Sequence, residues 1–156
     1  MQAVQARLPS ELWRWPARDL ARGIRLRRIS SREVVESCLQ RIDKVNPVLN
    51  ALVEVSREEA LVRADASDRA VAAGDVLGTL HGVPTSIKLN SDEAGHATTN
   101  GIVALREAIA AADAPHVQKL RDAGAVFVGR SNTPAFSFRW IDQGIVCRDG
   151  QRQERP

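Results

Sequence analysis

Gly82-Val83-Pro84-Thr85-Ser86-Ile87-Lys88-Leu89-Asn90 is the stretch on which the fold turns. Thr85 to Leu89 reads as a short strand. Alternation along it puts Ser86 and Lys88 on one face and Ile87 and Leu89 on the other. The residues before it, Gly78-Thr79-Leu80-His81, are loop-like. Those after it, Asn90 to Gly101, are polar and turn-prone and end in Asn100-Gly101. A strand end that feeds a polar loop is where α/β proteins place ligands.

Outward from this strand the helical signals dominate. Ala17 to Arg28 has helix-forming content, weakened in the middle by Gly23. Ser30-Ser31-Arg32-Glu33 is a capping box, with Ser30 placed to accept from the amide three residues on and Glu33 to reach back. Val34, Val35, Cys38, Leu39, Ile42 and Val45 then follow as one helical stripe, which Asn46-Pro47 is expected to end. Leu49 to Val55 is apolar and of uncertain type. Ser56 opens another helical pattern, which runs to about Ala73 and closes at Gly74. Further on, Asp113 is expected to cap a helix with Pro115 just inside it. Val117 and Leu120 face inward, and Gly124 ends the helix. Ala125 to Val128 reads as a buried strand, and Asn132-Thr133-Pro134 turns the chain. Helices that precede and alternate with short apolar strands predict an α/β protein with a largely parallel sheet.

The bulk properties exclude several classes. The 156 residues are 44% apolar and 26% charged, a globular composition. No apolar run approaches the ~20 residues that a bilayer span needs. The Arg-rich N-terminus lacks the apolar core of a secretory signal, and Glu11, Asp19 and Trp13-Arg14-Trp15-Pro16 argue against a mitochondrial presequence. Cys38 and Cys147 are isolated thiols that suit a reducing cytoplasm. His81, His96 and His116 are far apart in sequence and supply no metal spacing. Arg7 to Arg32 holds eight Arg against Glu11 and Asp19. A basic module for nucleic acid or an anionic surface is one reading of that stretch. A solvated helix face is the favoured one, because no groove-reading or aromatic motif accompanies the charge.

Only Lys44, Lys88 and Lys119 can supply a catalytic amine, since the other nineteen basic residues are Arg. Arg keeps its proton under almost any condition, whereas a buried Lys can lose it. Lys88 has two readings. It is either an exposed residue with a snorkelling stem, or a base that takes a proton from a serine, as in Ser-Lys variants of the triad.

Five ordered stretches bear on that choice. Leu80-His81-Gly82-Val83-Pro84-x-x-x-Lys88 resembles the opening signature of the amidase-signature hydrolases. Ser31-Arg32-Glu33-Val34-Val35, with Arg41-Ile42 and Asn46-Pro47-x-x-Asn50-Ala51, resembles the family's N-terminal helix. Ala94-Gly95-His96-x-Thr98-Thr99-Asn100-Gly101 resembles the loop after the lysine. Asp113-Ala114-Pro115 through Ala123-Gly124-Ala125, and Gly129-Arg130-x-Asn132-x-Pro134-x-Phe136, resemble the helix, strand and turn beyond. The resemblance covers about residues 20 to 140. It implies the N-terminal part of a mixed, largely parallel central sheet flanked by helices, in incomplete form.

The same resemblance implies a chemistry of three groups: a lysine, a serine in a cis peptide and a nucleophilic serine, with no cofactor and a small-molecule amide as substrate. Lys88 matches the family lysine. Leu89 departs from the Asp that many members carry there. Phe136 and Ser137 fall where the family lines its acyl pocket. The two serines belong to a Gly-Gly-Ser-Ser-Gly-Gly-like segment, and these 156 residues contain no such segment. Ser86, Ser131 and Ser137 lack an oxyanion loop and are poor substitutes. Residues 1–140 are therefore expected to be the N-terminal portion of an amidase domain, inactive alone or completed by serines on a separate polypeptide. Residues 141–156 are expected to be an unrelated polar tail left by a frameshift or truncation. Open sheet edges are expected to invite self-association.

Overall fold

The computed structural model describes residues 10–138, so Arg7, Trp140, Cys147 and the expected 141–156 tail lie outside it. Four helices form where the periodicity places them: α1 (Ala17–Arg25), α2 (Ser31–Leu49), α3 (Arg57–Ala73) and α4 (Pro115–Asp122). The capping box opens α2. Ser30 Oγ accepts from the Glu33 amide at 3.0 Å, and the Ser30 amide donates to Glu33 Oε2 at 2.7 Å. Two of the four orphan donors of the first turn are thereby satisfied.

Three strands complete the sheet: β1 (Leu52–Glu54), β2 (Pro84–Lys88) and β3 (Val126–Ser131), in the order β1-β3-β2. β2 runs parallel to β3, with Pro84 opposite Val126 and Lys88 opposite Ser131. β1 runs antiparallel to β3, which makes the sheet mixed. The apolar stretch of uncertain type, Leu49 to Val55, thus supplies the last residue of α2 and an edge strand.

The sheet is covered on both faces, as a parallel pair requires. On one face α2 and α3 bring Val35, Leu39, Ala60 and Ala64 against Val126 and Val128. On the other, Val117 of α4 meets Ile87 and Phe127. α1 closes one end of the domain, with Leu20 and Ile24 packed against Val34, Val71 and Val83. Among the described residues no helix is long and apolar enough to cross a membrane.

Two expectations are corrected. α2 does not stop at Asn46-Pro47 but continues to Leu49, and Asn50 ends it at φ +48°. Pro47 sits so close to the C-terminus that its missing N–H removes a single intrahelical bond. The Asn46 side chain then ties the exit, accepting from the Leu52 amide at 2.9 Å and donating to the Leu52 carbonyl at 2.8 Å. Asp113 does not cap α4 either. The N-cap is Ala114, with Pro115 at the first helical position, and the Asp113 carboxylate is taken by Arg121 and the Ala94 amide.

The basic N-terminal stretch is largely occupied with the fold itself. Arg27 donates to the Val71 carbonyl at 2.6 Å, at the C-terminal end of α3 where cations are favoured. Arg32 pairs with Asp65 and Glu36. Arg25 donates to the Gly78 carbonyl, and Arg14 stacks on Trp13.

Candidate active site

The C-terminal ends of the two parallel strands lie side by side, and each feeds a loop. Lys88 ends β2 and faces Ser131 at the end of β3. Burial alternates along β2 as the pleat demands: Ile87 is buried, while Ser86 and Lys88 are exposed on the other face. Leu89 turns into the core at 3% exposure. Its amide donates to the Ser131 carbonyl at 3.0 Å, which prolongs the strand pairing by one bond.

The turn after β3 brings a hydroxyl to the lysine. Lys88 Nζ donates to Ser137 Oγ at 3.3 Å, and Asn90 Nδ2 donates to the same oxygen at 3.0 Å. The Thr133 hydroxyl lies 2.9 Å from it. Ser137 therefore has three polar neighbours, Lys88 and Asn90 from the end of β2 and Thr133 from its own turn. This geometry needs an unusual backbone. Phe136 and Ser137 both adopt left-handed conformations, at φ +50° and +60°. Left-handed non-glycine residues cost about 1–3 kcal/mol each and persist where their surroundings over-determine them.

Here those surroundings are the 90–101 loop. Asn100, itself at φ +49°, accepts from the Phe136 amide at 2.8 Å. Gly101 runs so close to the Thr133 carbonyl that a Cβ there would collide with it. The Phe136 ring stays half exposed beside Phe138, with ring centroids 6.0 Å apart.

Beneath the loop lies a cluster of charges that the sequence reading did not single out. Arg130 has no exposed surface, and its guanidinium donates to the carbonyls of Ser91 and Ala97. Glu93 lies 3.7 Å from both Arg130 and Arg121. Burial raises the Glu93 carboxyl above the usual carboxylate range, against the pull of the neighbouring cations. Burial likewise lowers Arg130 from its ordinary value. Asp113 is held below its ordinary range by the Arg121 hydrogen bonds. His96 meets Glu54 at 2.6 Å and Glu59 at 3.6 Å, fastening the loop to β1 and α3. In the sequence Arg130 stands only within the Gly129-Arg130-x-Asn132 stretch, and nothing local says that it is buried.

The remaining sequence candidates stay apart. Ser86 shares the exposed face of β2, and Ser131 is engaged in the strand ladder. His81 binds the Ser67 carbonyl, and His116 lies 2.9 Å from the Ser91 hydroxyl. Among the described residues no group of three His, Cys, Asp or Glu could hold a metal ion.

Known proteins share this fold. Residues 33–140 match the Amidase family model. An indoleacetamide hydrolase from Bradyrhizobium diazoefficiens is 48% identical over 128 residues, which are 82% of this chain and 24% of that protein. An acylamidase from Rhodococcus erythropolis is 39% identical over 78% of this chain and 26% of its own length. The crystal structure of a bacterial aryl acylamidase of the amidase-signature family superposes with a TM-score of 0.75 and 34% identity, over 80% of this chain and 26% of that one. The chain thus spans about a quarter of the length of the relatives it matches. A family match over most of the sequence and a shared fold agree that the chain belongs to the amidase family.

Proposed function

We propose that this chain supplies the lysine base of an amidase that hydrolyses small carboxylic amides through an acyl-serine intermediate. The observation that carries the reading is Lys88 at the end of β2, its amine held 3.3 Å from a hydroxyl at the mouth of the two parallel strands. In the reaction Lys88 takes a proton from the nucleophilic serine through the second serine. The serine oxygen attacks the amide carbonyl carbon, the C–N bond breaks, and the leaving amine receives that proton. Water then hydrolyses the ester to release the acid. Phe136 and Ser137 belong to the wall of the acyl pocket. These 156 residues hold no Gly-Gly-Ser-Ser-Gly-Gly-like segment, so the reading assigns both serines and the oxyanion donors to such a segment and only the lysine to this chain.

A cytoplasmic setting is part of the reading. It rests on Cys38 and Cys147, two isolated thiols that form no disulfide framework. Nucleic acid and membrane are not part of it, since Arg14, Arg25, Arg27 and Arg32 make contacts within the fold.

The test compares this chain with a version extended through a Gly-Gly-Ser-Ser-Gly-Gly-like segment, assayed on simple amides. An aryl-acetamide is the first substrate to try, given the indoleacetamide hydrolase relative. The extended chain is expected to turn over. Lys88→Ala is expected to lower its rate by about 10²–10⁴-fold, the usual worth of a general base. Hydrolysis by the extended chain that survives Lys88→Ala would sink the reading.

A further inference from the structure

One guanidinium closes the loop that follows Lys88. Arg130 lies on β3 opposite Ile87, with no exposed surface. Its Nη1 donates to the Ala97 carbonyl at 2.8 Å and its Nη2 to the Ser91 carbonyl at 2.7 Å. Both ends of the 91–97 segment are thereby fixed to one planar group. The Nε makes no hydrogen bond and faces Glu93 Oε2 at 3.7 Å.

Stability is a poor account of this arrangement. A buried ion pair carries a desolvation penalty, and apolar side chains of similar volume often serve as well or better. A rigid fork of donors does what an apolar group cannot: it sets two carbonyls in one plane.

The segment it holds leads to the lysine's partner. Beyond Ala97 the chain reaches Asn100, whose carbonyl seats the Phe136 amide, and Gly101, which fits against the Thr133 carbonyl. Those contacts support the left-handed pair Phe136 and Ser137, and Ser137 Oγ faces Lys88 Nζ. We propose that Arg130 is a positioning residue for Lys88: through the 91–97 loop it places the Ser137 hydroxyl, and so fixes where the amine is held. The catalytic meaning of this rests on reading Lys88 as the base, but the placement can be tested without catalysis.

The chain has only three lysines, so reductive methylation with ¹³C-formaldehyde gives few dimethylamine NMR signals to assign. Lys44 and Lys119 are exposed on helices and serve as internal references. The Lys88 signal, assigned with Lys88→Arg, is expected to stand apart from theirs. Ser137→Ala is expected to bring it within a linewidth of them. Arg130→Met combined with Glu93→Gln, which leaves no buried charge unpaired, is expected to do the same with the helical circular-dichroism spectrum intact. Glu93→Gln alone, which keeps the guanidinium and its two carbonyls, is expected to leave the signal in place.

A Lys88 signal that already coincides with the references overturns the proposal. So does one that stays put in the folded double variant. If the double variant unfolds, Arg130→Lys takes its place and is expected to restore part of the wild-type offset. If that variant unfolds too, the residue serves stability alone and the proposal falls. Failure of the base reading appears elsewhere, as retained hydrolysis by Lys88→Ala in the extended chain.

Discussion

Asp113 and Glu93 sit a few ångströms apart around Arg121 and answer pH in opposite senses. Arg121 donates to Asp113 at 2.6 and 3.2 Å while its guanidinium lies 4.7 Å from the Phe127 ring centre. Asp113 is held below its ordinary value of 3.8, so the folded state binds its proton less tightly than the unfolded chain does. Its contribution is complete above that ordinary value and is lost as the pH falls through the depressed one. Glu93 is raised above its ordinary value of 4.5, so the folded state binds its proton more tightly. Its contribution is greatest below 4.5 and is lost as the pH rises through the raised value. Asp113→Asn is therefore expected to lower the thermal midpoint at neutral pH and to flatten the acid limb of the stability profile. Glu93→Gln is expected to flatten the profile on the alkaline side of 4.5. Thermal midpoints measured across the acid range for the three proteins decide it; an acid limb unchanged by Asp113→Asn refutes the assignment.

At the scale of elements, β1 depends on a glycine in its neighbour. A Cβ on Gly129 would collide with the Glu54 carbonyl and lie 3.1 Å from Val55 Cα. Both obstacles are backbone, so no side chain can swing aside. Gly129→Ala is expected to pry β1 from β3 at a cost of about 1–3 kcal/mol, the usual range for overpacking. Hydrogen exchange should show Leu52 to Glu54 losing protection while α2 and α3 keep theirs, and urea unfolding should show the lower midpoint.

The same strand marks how far the sequence could be read. Elements specified by local pattern were legible: the Ser30–Glu33 box, the α2 stripe, the Gly74 stop and the alternation of β2 all appear as read. Elements specified by distant partners were not. Leu52–Glu54 is too short to carry a period, and only pairing with β3 makes it a strand. Asp113 has the chemistry of a cap, yet Arg121 lies near enough to take it. At the site, the strand end that carries Lys88 is legible, because alternation along β2 and the polar loop after it mark the place. The contact with Ser137 is not, because it depends on two consecutive left-handed residues that no propensity favours.

For the whole molecule, the sheet has two outer strands. Among the described residues β1 and β2 each pair with β3 alone; Asn46 takes both backbone groups of Leu52 on β1, which leaves β2 as the more open edge. Unprotected edges template further pairing. Beside the β2 end, Phe138 is 86% exposed and Phe136 52%, two rings whose burial would each remove a large apolar surface from water. We expect the 17.1 kDa chain to self-associate, with a weight-average mass in sedimentation that rises with concentration. Two variants separate the routes. Phe138→Ser is expected to weaken association that runs through the aromatic patch. Ser86→Pro removes a backbone donor from the open side of β2, since Val83 and Leu89 bond to β3 and alternate residues face away, and is expected to weaken association that runs through the sheet edge. A single monomeric species with a cooperative thermal transition at all concentrations would contradict both, because it would mean that three strands and four helices satisfy the sheet without further partners.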